Sequence, residues 1–465
     1  MKPIKLAAYI VPIVLATSGA QATDLLNGTL NDQSVFSHTY TTTGSSLGVQ
    51  TVYGNILANQ DVTLGAGAKV SGNIQSRDLT TGDSSLVGGN TKTSGDTSIG
   101  ANATVDGNLK SVDMTVGANG TISGNAVNVA DSTLGDSATV DGNLQSGAAV
   151  TIGANAAVVG TVQHGTALVV SASASTGATS VNSTRPSATV IADEHLGVTA
   201  AQSVLNGMGG SVLATGNIAT NTTFTPGVYH VAGLLTTTAG ITLTLDAQSS
   251  PNATFIFNVS NYLAFGAGTV ISVINEADNN TSVVWNTPGG YTSVGADAVI
   301  VGTILANTYV STGAFSEVTG SGDSCGGVFS ATSYVTVGAN ATVGSQSSCQ
   351  GAINICFDDV GDIEACVSFT CIEDAVMESD ESPVTIGVQE TFTSLKFSNQ
   401  RSPVVPEVIE APVQTGVQET RPPTLNFSNQ RSPVVPEVIE APVQTGVQET
   451  RPRPRPPGRS NQRRL

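Results

Sequence analysis

Apolar and hydroxylated positions alternate around a glycine that recurs every 17 or 18 residues in the first third of the chain. The six glycines are Gly65, Gly82, Gly100, Gly117, Gly135 and Gly153. In five of the six repeats the residue before the glycine is apolar, and in all six the residue five positions after it is valine or isoleucine. One fixed period with two apolar columns is typical of a β-solenoid, in which stacked coils share one core.

The position two residues before each glycine should point away from that core, because successive side chains of a strand face opposite sides. It is hydroxylated in every repeat: Thr63, Thr80, Ser98, Thr115, Thr133 and Thr151. Coils stack about 4.8 Å apart, so the pattern predicts an exposed hydroxyl ladder. This ladder alone allows two interpretations, a working surface or simply the preference of threonine for strands.

The second half repeats the design less regularly. Residues 302–320 (GTILANTYVSTGAFSEVTG) match residues 54–72 (GNILANQDVTLGAGAKVSG) at ten positions. The same register places Ser293, Ser311 and Thr336 at outward positions. We therefore predict that the late segment is a solenoid as well.

One helix is predicted between the two halves. Apolar residues at helical spacing run from Leu196 to Met208 and end at Gly209-Gly210. Residues 171–187, rich in Ser, Ala and Thr, fit either a loop or imperfect coils. Strands are predicted beyond the helix at 227–229, 241–245, 255–259, 270–274 and 283–285.

Five strings in the second half resemble, in order, the microbial ice-binding protein family. They are TPGVY (225–229), LTLDAQ (243–248), NATFIF (252–257), VVW (283–285) and GTILA (302–306), within a resemblance that spans residues 188–345. The resemblance implies a right-handed, discontinuous β-solenoid of triangular section, with one long flanking helix and a flat face that binds ice. It also implies that an early coil packs among late ones. Thr242 and Thr244 are further candidates for the ice-binding face.

The chain departs from that family in two ways. It has about six additional regular coils before the helix, and a cysteine-containing, acidic segment follows the solenoid. We divide it into a signal peptide (1–22), regular coils (23–163), an ice-binding-like solenoid (164–350), the cysteine segment (351–378) and a disordered, proline-rich tail (379–465).

Charge excludes some partners. The net charge is −18, and only five Lys or Arg residues lie between positions 24 and 350. Nucleic-acid binding needs clustered cations, and anionic lipid repels an acidic surface. Lys2 and Lys5 before the apolar run 6–15, followed by Ala20-Gln21-Ala22, predict a cleaved signal peptide and secretion. We predict neither nucleic-acid binding nor membrane insertion.

Catalysis and metals have little support in the sequence. The four histidines stand in unrelated contexts, Asp106 and Asp141 form a sparse acidic pair two coils apart, and we predict no enzyme, no cofactor and no metal. A column of Asp61, Asp78, Asp96, Asp113 and Asp131 either accepts hydrogen bonds from turn amides or holds cations such as Ca²⁺. A matching asparagine column is interpreted as turn hydrogen bonding.

The last part of the chain has a different character. All five cysteines are late, and Cys325 with Cys349 is a candidate disulfide across the last coils. Residues 397–420 recur unchanged at 427–450, and their proline content favours extended chain. The tail is either a spacer or a tether to a cell-surface component or partner protein.

Taken together, these features predict a secreted ice-binding protein. The first alternative is a structural or adhesive cell-surface solenoid that serves as a stalk or assembles end to end. A second and less favoured one is a β-helix enzyme that acts on polysaccharides.

Overall fold

The structure, a computed structural model, describes residues 23–26, 28–182, 184–277, 281–321, 324–345, 356–357 and 363–364. They lie in the first of two compact units, residues 1–377. The second unit, residues 378–465, lies outside the described residues, as do the signal peptide and the proline-rich tail of the sequence-based division.

Short strands form almost all of the regular structure. Before the long helix they are β1 (Thr23–Asp24), β2 (Gln33–Ser37), β3 (Thr41–Thr43), β4 (Asn55–Ala58), β5 (Asp61–Leu64), β6 (Lys69–Val70), β7 (Ile74–Ser76), β8 (Asp78–Thr81), β9 (Leu86–Val87), β10 (Thr91–Thr93), β11 (Thr97–Ile99), β12 (Thr104–Val105), β13 (Leu109–Ser111), β14 (Met114–Val116), β15 (Thr121–Ile122), β16 (Ala126–Asn128), β17 (Ser132–Leu134), β18 (Thr139–Val140), β19 (Leu144–Ser146), β20 (Val150–Ile152), β21 (Ala157–Val158), β22 (Val162–His164), β23 (Leu168–Val170), β24 (Ser175–Thr176) and β25 (Thr179–Val181). A four-residue helix, α1 (Gly28–Asn31), precedes β2, and the long helix is α2 (His195–Gly207).

In the described part of the chain, twenty strands follow the long helix, of which the first eighteen continue a three-sided winding and the last two pair antiparallel in a small sheet with β1. They are β26 (Ser211–Leu213), β27 (Gly216–Ile218), β28 (Thr222–Phe224), β29 (Gly227–Val231), β30 (Leu235–Thr237), β31 (Thr242–Asp246), β32 (Thr254–Val259), β33 (Leu263–Phe265), β34 (Val270–Ile274), β35 (Ser282–Thr287), β36 (Thr292–Val294), β37 (Val299–Val301), β38 (Thr303–Ala306), β39 (Val310–Thr312), β40 (Glu317–Thr319), β41 (Gly327–Ser330), β42 (Val335–Val337), β43 (Thr342–Val343), β44 (Cys356–Phe357) and β45 (Ile363–Glu364). The five strands predicted beyond the helix are all present, with ends that differ by a few residues.

Parallel sheets make the sides of the solenoid. A fifteen-stranded sheet, here called the helix-side sheet, runs from β25 through β2 to β26. A fourteen-stranded sheet, the hydroxyl sheet, runs from β23 through β3 to β27. The third side consists of a seven-stranded sheet (β24 to β6) and a six-stranded sheet (β28 to β43), and Val52 bridges both Val70 and Val343 between them. The predicted β-solenoid is confirmed.

The winding is discontinuous, because the chain enters the solenoid in its middle. Strand β2 pairs with β4 on one side and with β41 on the other. The early coils wind outward from there to β25, the chain then passes through α2, and the late coils begin at β26 and return to β41. An early coil thus lies against late ones, as the resemblance implied. The undecided segment 171–187 forms an imperfect last coil as far as Val181.

The recurring glycines stand where consecutive coils come closest. A Cβ added to Gly100 would lie 2.6 Å from the carbonyl carbon of Gly82, and one on Gly82 would lie 2.6 Å from the backbone nitrogen of Ala66. Real Cβ atoms do not approach backbone so closely, so these turns exclude every side chain. The apolar columns that flank the glycines, for example Leu64 and Val70, are fully buried as predicted.

Helix α2 packs on the outside of the helix-side sheet. Its buried residues Val198, Ala201 and Leu205 join a second, smaller core. The sheet and the N-terminal segment contribute the other buried members of that core: Leu26, Leu30, Phe36, Leu57, Ile256, Val284, Leu305, Phe329 and Ala331. The long helix was predicted within one residue at each end, whereas the short α1 was not predicted.

The predicted apolar stripe of the helix is only partly buried. Leu196 and Val204 are 68% and 49% exposed, whereas the polar Gln202 is 2% exposed. Gln202 donates from Nε2 to the Leu305 carbonyl at 3.1 Å, and Asn258 of the sheet donates from Nδ2 to the Leu205 carbonyl at 2.7 Å. Buried amides therefore help to orient the helix on the sheet, because an unpaired polar group there would be costly.

Replacing Gln202 by alanine should destabilise the protein by about 1–3 kcal/mol, since it leaves part of the helix contact unfilled and removes a buried hydrogen bond. Chemical denaturation followed by circular dichroism measures the effect. Ser203, exposed on the same helix, gives the control Ser203→Ala, which should leave the unfolding free energy nearly unchanged. Equal effects of the two substitutions would contradict this role for Gln202.

Two further predictions concern the late cysteines and membranes. Cys325 is disulfide-bonded. Its pairing with Cys349 stays a prediction, because Cys349 lies outside the described residues. Neither helix in the described part of the chain has the length and hydrophobicity to cross a bilayer.

Candidate functional site

The predicted hydroxyl ladder is part of one column that crosses the whole hydroxyl sheet. Backbone register aligns fourteen residues, one from each strand, across both halves of the solenoid. From the late end they are Asn217, Thr236, Ala264, Ser293, Ser311, Thr336, Thr42, Thr63, Thr80, Ser98, Thr115, Thr133, Thr151 and Val169. Threonine or serine occupies all of these positions except Asn217, Ala264 and Val169.

Every member of this column points away from the core. From Thr63 to Thr151 each member is exposed between two buried neighbours, as Thr115 is between Met114 and Val116. From Thr236 to Thr42 the members are half-buried between buried neighbours, as Ser311 and Thr336 are. Asn217 and Val169, at the two ends of the sheet, are exposed. The nine residues predicted for the two ladders, six early and three late, therefore belong to one surface.

Thr42 joins the two ladders. Its strand pairs with the strands of Thr336 and of Thr63, and its hydroxyl lies 3.5 Å from that of Thr336. The sequence analysis missed Thr42, because 21 residues separate it from Thr63 instead of the usual 17 or 18. The run Thr41-Thr42-Thr43 was the available signal.

One edge of the column is lined by tyrosines in the late half. Tyr262, Tyr291, Tyr309, Tyr334 and Tyr40 stack nearly parallel, with ring centroids 4.6–5.1 Å apart. Burial in the stack, together with its two neighbouring tyrosines, raises the pKa of Tyr309. The stack runs beside the hydroxyl column and joins consecutive coils from Tyr262 to Tyr40.

Aspartates continue the same edge in the early half, starting beside Tyr40. Asp78, Asp113 and Asp131 each accept a hydrogen bond from the backbone N–H of the next coil, at 2.7–2.9 Å. At the first step the Arg77 guanidinium contacts both Asp61 (2.6 Å) and Asp78 (3.0 Å). Three of the five aspartates thus accept turn amides, as the first of the two interpretations requires, and these bonds offset the stacking of like charges.

The asparagine column makes the same kind of hydrogen bond between coils at another corner of the solenoid. Each side-chain oxygen accepts the backbone N–H of the following coil at 2.7–2.8 Å, from Asn55 to Asn143. Side-chain ladders at two corners therefore hold consecutive coils in fixed register, which makes the hydroxyl column a regular array.

The third side differs from the hydroxyl sheet. Thr242 and Thr244 lie there, half-buried on β31, so they do not share a face with the other predicted residues. Their register neighbours include Val270 and Ser272, and further positions of this side carry Val299, Glu317, Lys69 and Leu86. The sequence analysis named these threonines with the ladder as candidates, and the structure places them on a different side, because alternation predicts outward orientation but not which of three sheets a strand joins.

The structure locates the aspartate pair and the histidines that the sequence analysis considered for catalysis. Asp106 and Asp141 are exposed on the third side, in coils separated by one that carries Ser123. The histidines, by contrast, are not all unrelated, since the rings of His38 and His195 lie 4.6 Å apart beside Asp193. Sequence could not show this pair, because β2 and α2 are distant along the chain.

Comparison with known proteins gives three kinds of similarity. The family model described as ice-binding-like matches residues 152–343. The sequence is 36% identical over 122 residues to ice-binding protein 1 of Shewanella frigidimarina, an alignment that covers 26% of this chain and 13% of that relative.

Solved ice-binding proteins resemble the structure over longer stretches. A domain of ice-binding protein 1 from Shewanella frigidimarina is 22% identical, with a TM-score of 0.28, and the match covers 45% of this chain and 92% of that domain. An ice-binding protein from an Antarctic biological consortium is 14% identical, with a TM-score of 0.35, and the match covers 74% of this chain and 95% of that protein. An ice-binding protein from the ascomycete Antarctomyces psychrotrophicus is 18% identical, with a TM-score of 0.29, and the match covers 49% of this chain and 93% of that protein. The predicted family resemblance is confirmed, since residues 152–343 match the ice-binding-like family model.

Proposed function

We propose that this protein is secreted and adsorbs to ice through the hydroxyl sheet, where it inhibits ice growth or recrystallisation. The observation that carries the proposal is the continuous column of hydroxyl groups in register across both halves of the solenoid. Ice-binding proteins are the relatives of the late half, and the column extends the same surface into the early coils.

The column suits a crystalline partner because its spacing is fixed. Adjacent strands place successive hydroxyls about 4.8 Å apart. Each threonine presents a methyl group and a hydroxyl, which together can order water into an ice-like layer before contact. A surface that is already ordered loses little entropy on binding, so many weak contacts add up to adsorption.

The sides of the solenoid differ in their fitness for this role. Helix α2 and the N-terminal segment cover part of the helix-side sheet. The third side mixes Lys69, Leu86, Glu317 and Val270, whose lengths and charges differ. The hydroxyl sheet is bordered in its early half by glycines that lack side chains, such as Gly82 and Gly100, so its small residues form an uninterrupted strip.

The sequence supports the remaining parts of the proposal. The N-terminal pattern of Lys2, Lys5 and an apolar run is typical of an exported protein. The proposed function requires no reaction and no cofactor, and we infer that the protein is not an enzyme. The tail would act as a spacer or as a tether to a partner.

Thermal hysteresis and ice recrystallisation assays test the proposal, on the full chain and on residues 23–350. Activity in both samples is the expected result. If both samples lack activity while filaments or cell adhesion appear, the alternative of a structural or adhesive solenoid is correct. That alternative draws on the edge strands β25 and β26, at the two ends of the helix-side sheet, which pair on one side with β22 and β29.

A further inference from the structure

Two histidines and one aspartate converge where the long helix begins. His38 follows β2 directly, and Asp193 and His195 lie at the start of α2. Asp193 Oδ1 is 2.7 Å from His195 Nδ1 and 3.5 Å from His38 Nδ1. One atom from each side chain can be chosen so that all three lie within 4.8 Å of one another.

We propose that His38, Asp193 and His195 bind a divalent transition metal ion, with zinc as the representative ion. Imidazole nitrogen and carboxylate oxygen are ligands that zinc uses at about 2.0–2.2 Å. In a tetrahedral site such bonds place neighbouring ligand atoms about 3.4 Å apart. The distances between Asp193 and the two histidines bracket that value, and the three chosen atoms lie within 4.8 Å of one another, so side-chain rotations would bring the three ligands onto one ion.

Asn59 provides a second, independent observation. Its amide nitrogen is 3.1 Å from His38 Nδ1 and also contacts Asp193 Oδ1. Its amide oxygen is buried and has no hydrogen-bond partner among the residues that the structure describes. Rotation of this amide by half a turn would direct the oxygen toward the three ligands, and a cation there would satisfy it. Asn59 or a water molecule would then complete the fourth position.

The chemistry of the cluster favours a cation. One carboxylate and two imidazole rings supply the oxygen and nitrogen atoms that bind transition metal ions. Both imidazole Nδ1 atoms approach the same oxygen of Asp193. An ion bound by all three atoms would take the place of these contacts.

The position of the site gives it a structural role. His38 belongs to the coil at which the early and late halves meet. His195 is the first residue of the helix that covers that coil, and Asp193 lies two residues before it. A bound ion would therefore fasten the start of α2 to the middle of the solenoid. It would stabilise the folded state only, because the unfolded chain does not assemble the three ligands.

Isothermal titration of zinc into the full chain tests the proposal, with disulfides intact, no affinity tag and prior treatment with a chelator. We expect one zinc ion per chain at this site, lost in His38→Ala, His195→Ala and Asp193→Asn. His230 is the matched control, because its Nε2 contacts the Met208 carbonyl at 2.7 Å at the other end of the same helix. The variant His230→Ala should bind zinc as the wild type does.

Two further measurements make the result decisive. Circular dichroism in the presence of chelator shows whether each variant is folded. Zinc should raise the melting temperature of the wild type and of His230→Ala, and it should not raise that of the three ligand variants. Cobalt bound to this site should lack the near-ultraviolet charge-transfer band of thiolate ligands, which separates it from the cysteines. Wild-type protein without bound zinc, or folded His38→Ala and His195→Ala variants that keep it, would overturn the proposal.

Discussion

Replacing Thr115 by tyrosine should reduce thermal hysteresis to less than about half of the wild-type value, because a projecting ring destroys complementarity at the centre of a flat contact. Thr115 lies in the early half of the column, exposed between Ser98 and Thr133. The tyrosine would extend beyond the neighbouring hydroxyls and hold them away from the ice surface. Ice-growth inhibition at equal protein concentration is the measurement.

A control from the same coil separates this effect from general destabilisation. Thr121 is a half-buried, outward residue of β15 on the third side, so Thr121→Tyr adds the same ring to another face. Hysteresis should be unchanged in this variant, and both variants should unfold at similar denaturant concentrations. Equal losses in the two would mean that the ring disturbs the fold rather than the contact.

The late half can be tested in the same way. Thr336→Tyr should also lower hysteresis, since Thr336 adjoins Thr42 in the same column. Thr244→Tyr changes the third side, which the sequence offered as an alternative face. If Thr244→Tyr abolishes activity while Thr115→Tyr and Thr336→Tyr do not, the third side is the ice-binding face.

Local pattern predicted most of the coil geometry. A period of 17 or 18 residues and strict alternation are properties of each coil by itself, so they reported the buried columns and the exposed ladder directly. The glycine of each turn was equally visible, because the approach of the next backbone excludes a side chain there. The helix was visible for the same reason, as its apolar spacing is a local property.

Contacts between distant segments could not be predicted from such a pattern. Thr42 and Thr336 are 294 positions apart, and nothing in either repeat states that they are neighbours. The edge of the hydroxyl column changes from tyrosines to aspartates between Tyr40 and Asp61, where the late coils meet the early ones. The grouping of His38 with His195 depends on where α2 lies, which the amphipathic pattern of the helix leaves open.

The buried amides of the helix contact illustrate a different limit. Helical periodicity assigned Leu196 and Val204 to the packed face, but both are substantially exposed and Gln202 is buried. The helix lies over a sheet that presents Asn258 and Asn286, so its partners are polar as well as apolar. An apolar scale assigns Gln202 to solvent because it contains no information about the surface that the helix covers.

Removing two whole early coils should lower hysteresis while the fold is retained. Deletion of residues 100–134 joins Ile99 to Gly135, two equivalent junctions of the repeat, and removes one coil of 17 and one of 18 residues. Ser98 would then pair with the strand of Thr151, and the strands of all three sides would keep their order. The column would be shorter by Thr115 and Thr133 but uninterrupted.

The deletion tests whether the early half contributes to the contact or only extends the molecule. If adsorption depends on the number of aligned hydroxyls, the shortened protein should keep part of the activity, and the full-length variant with both Thr115→Tyr and Thr133→Tyr should keep less. A double variant as active as the wild type, together with an unaffected deletion, would restrict the ice contact to the late coils. The early coils would then serve as a spacer, because their exposed threonines would reflect strand preference alone.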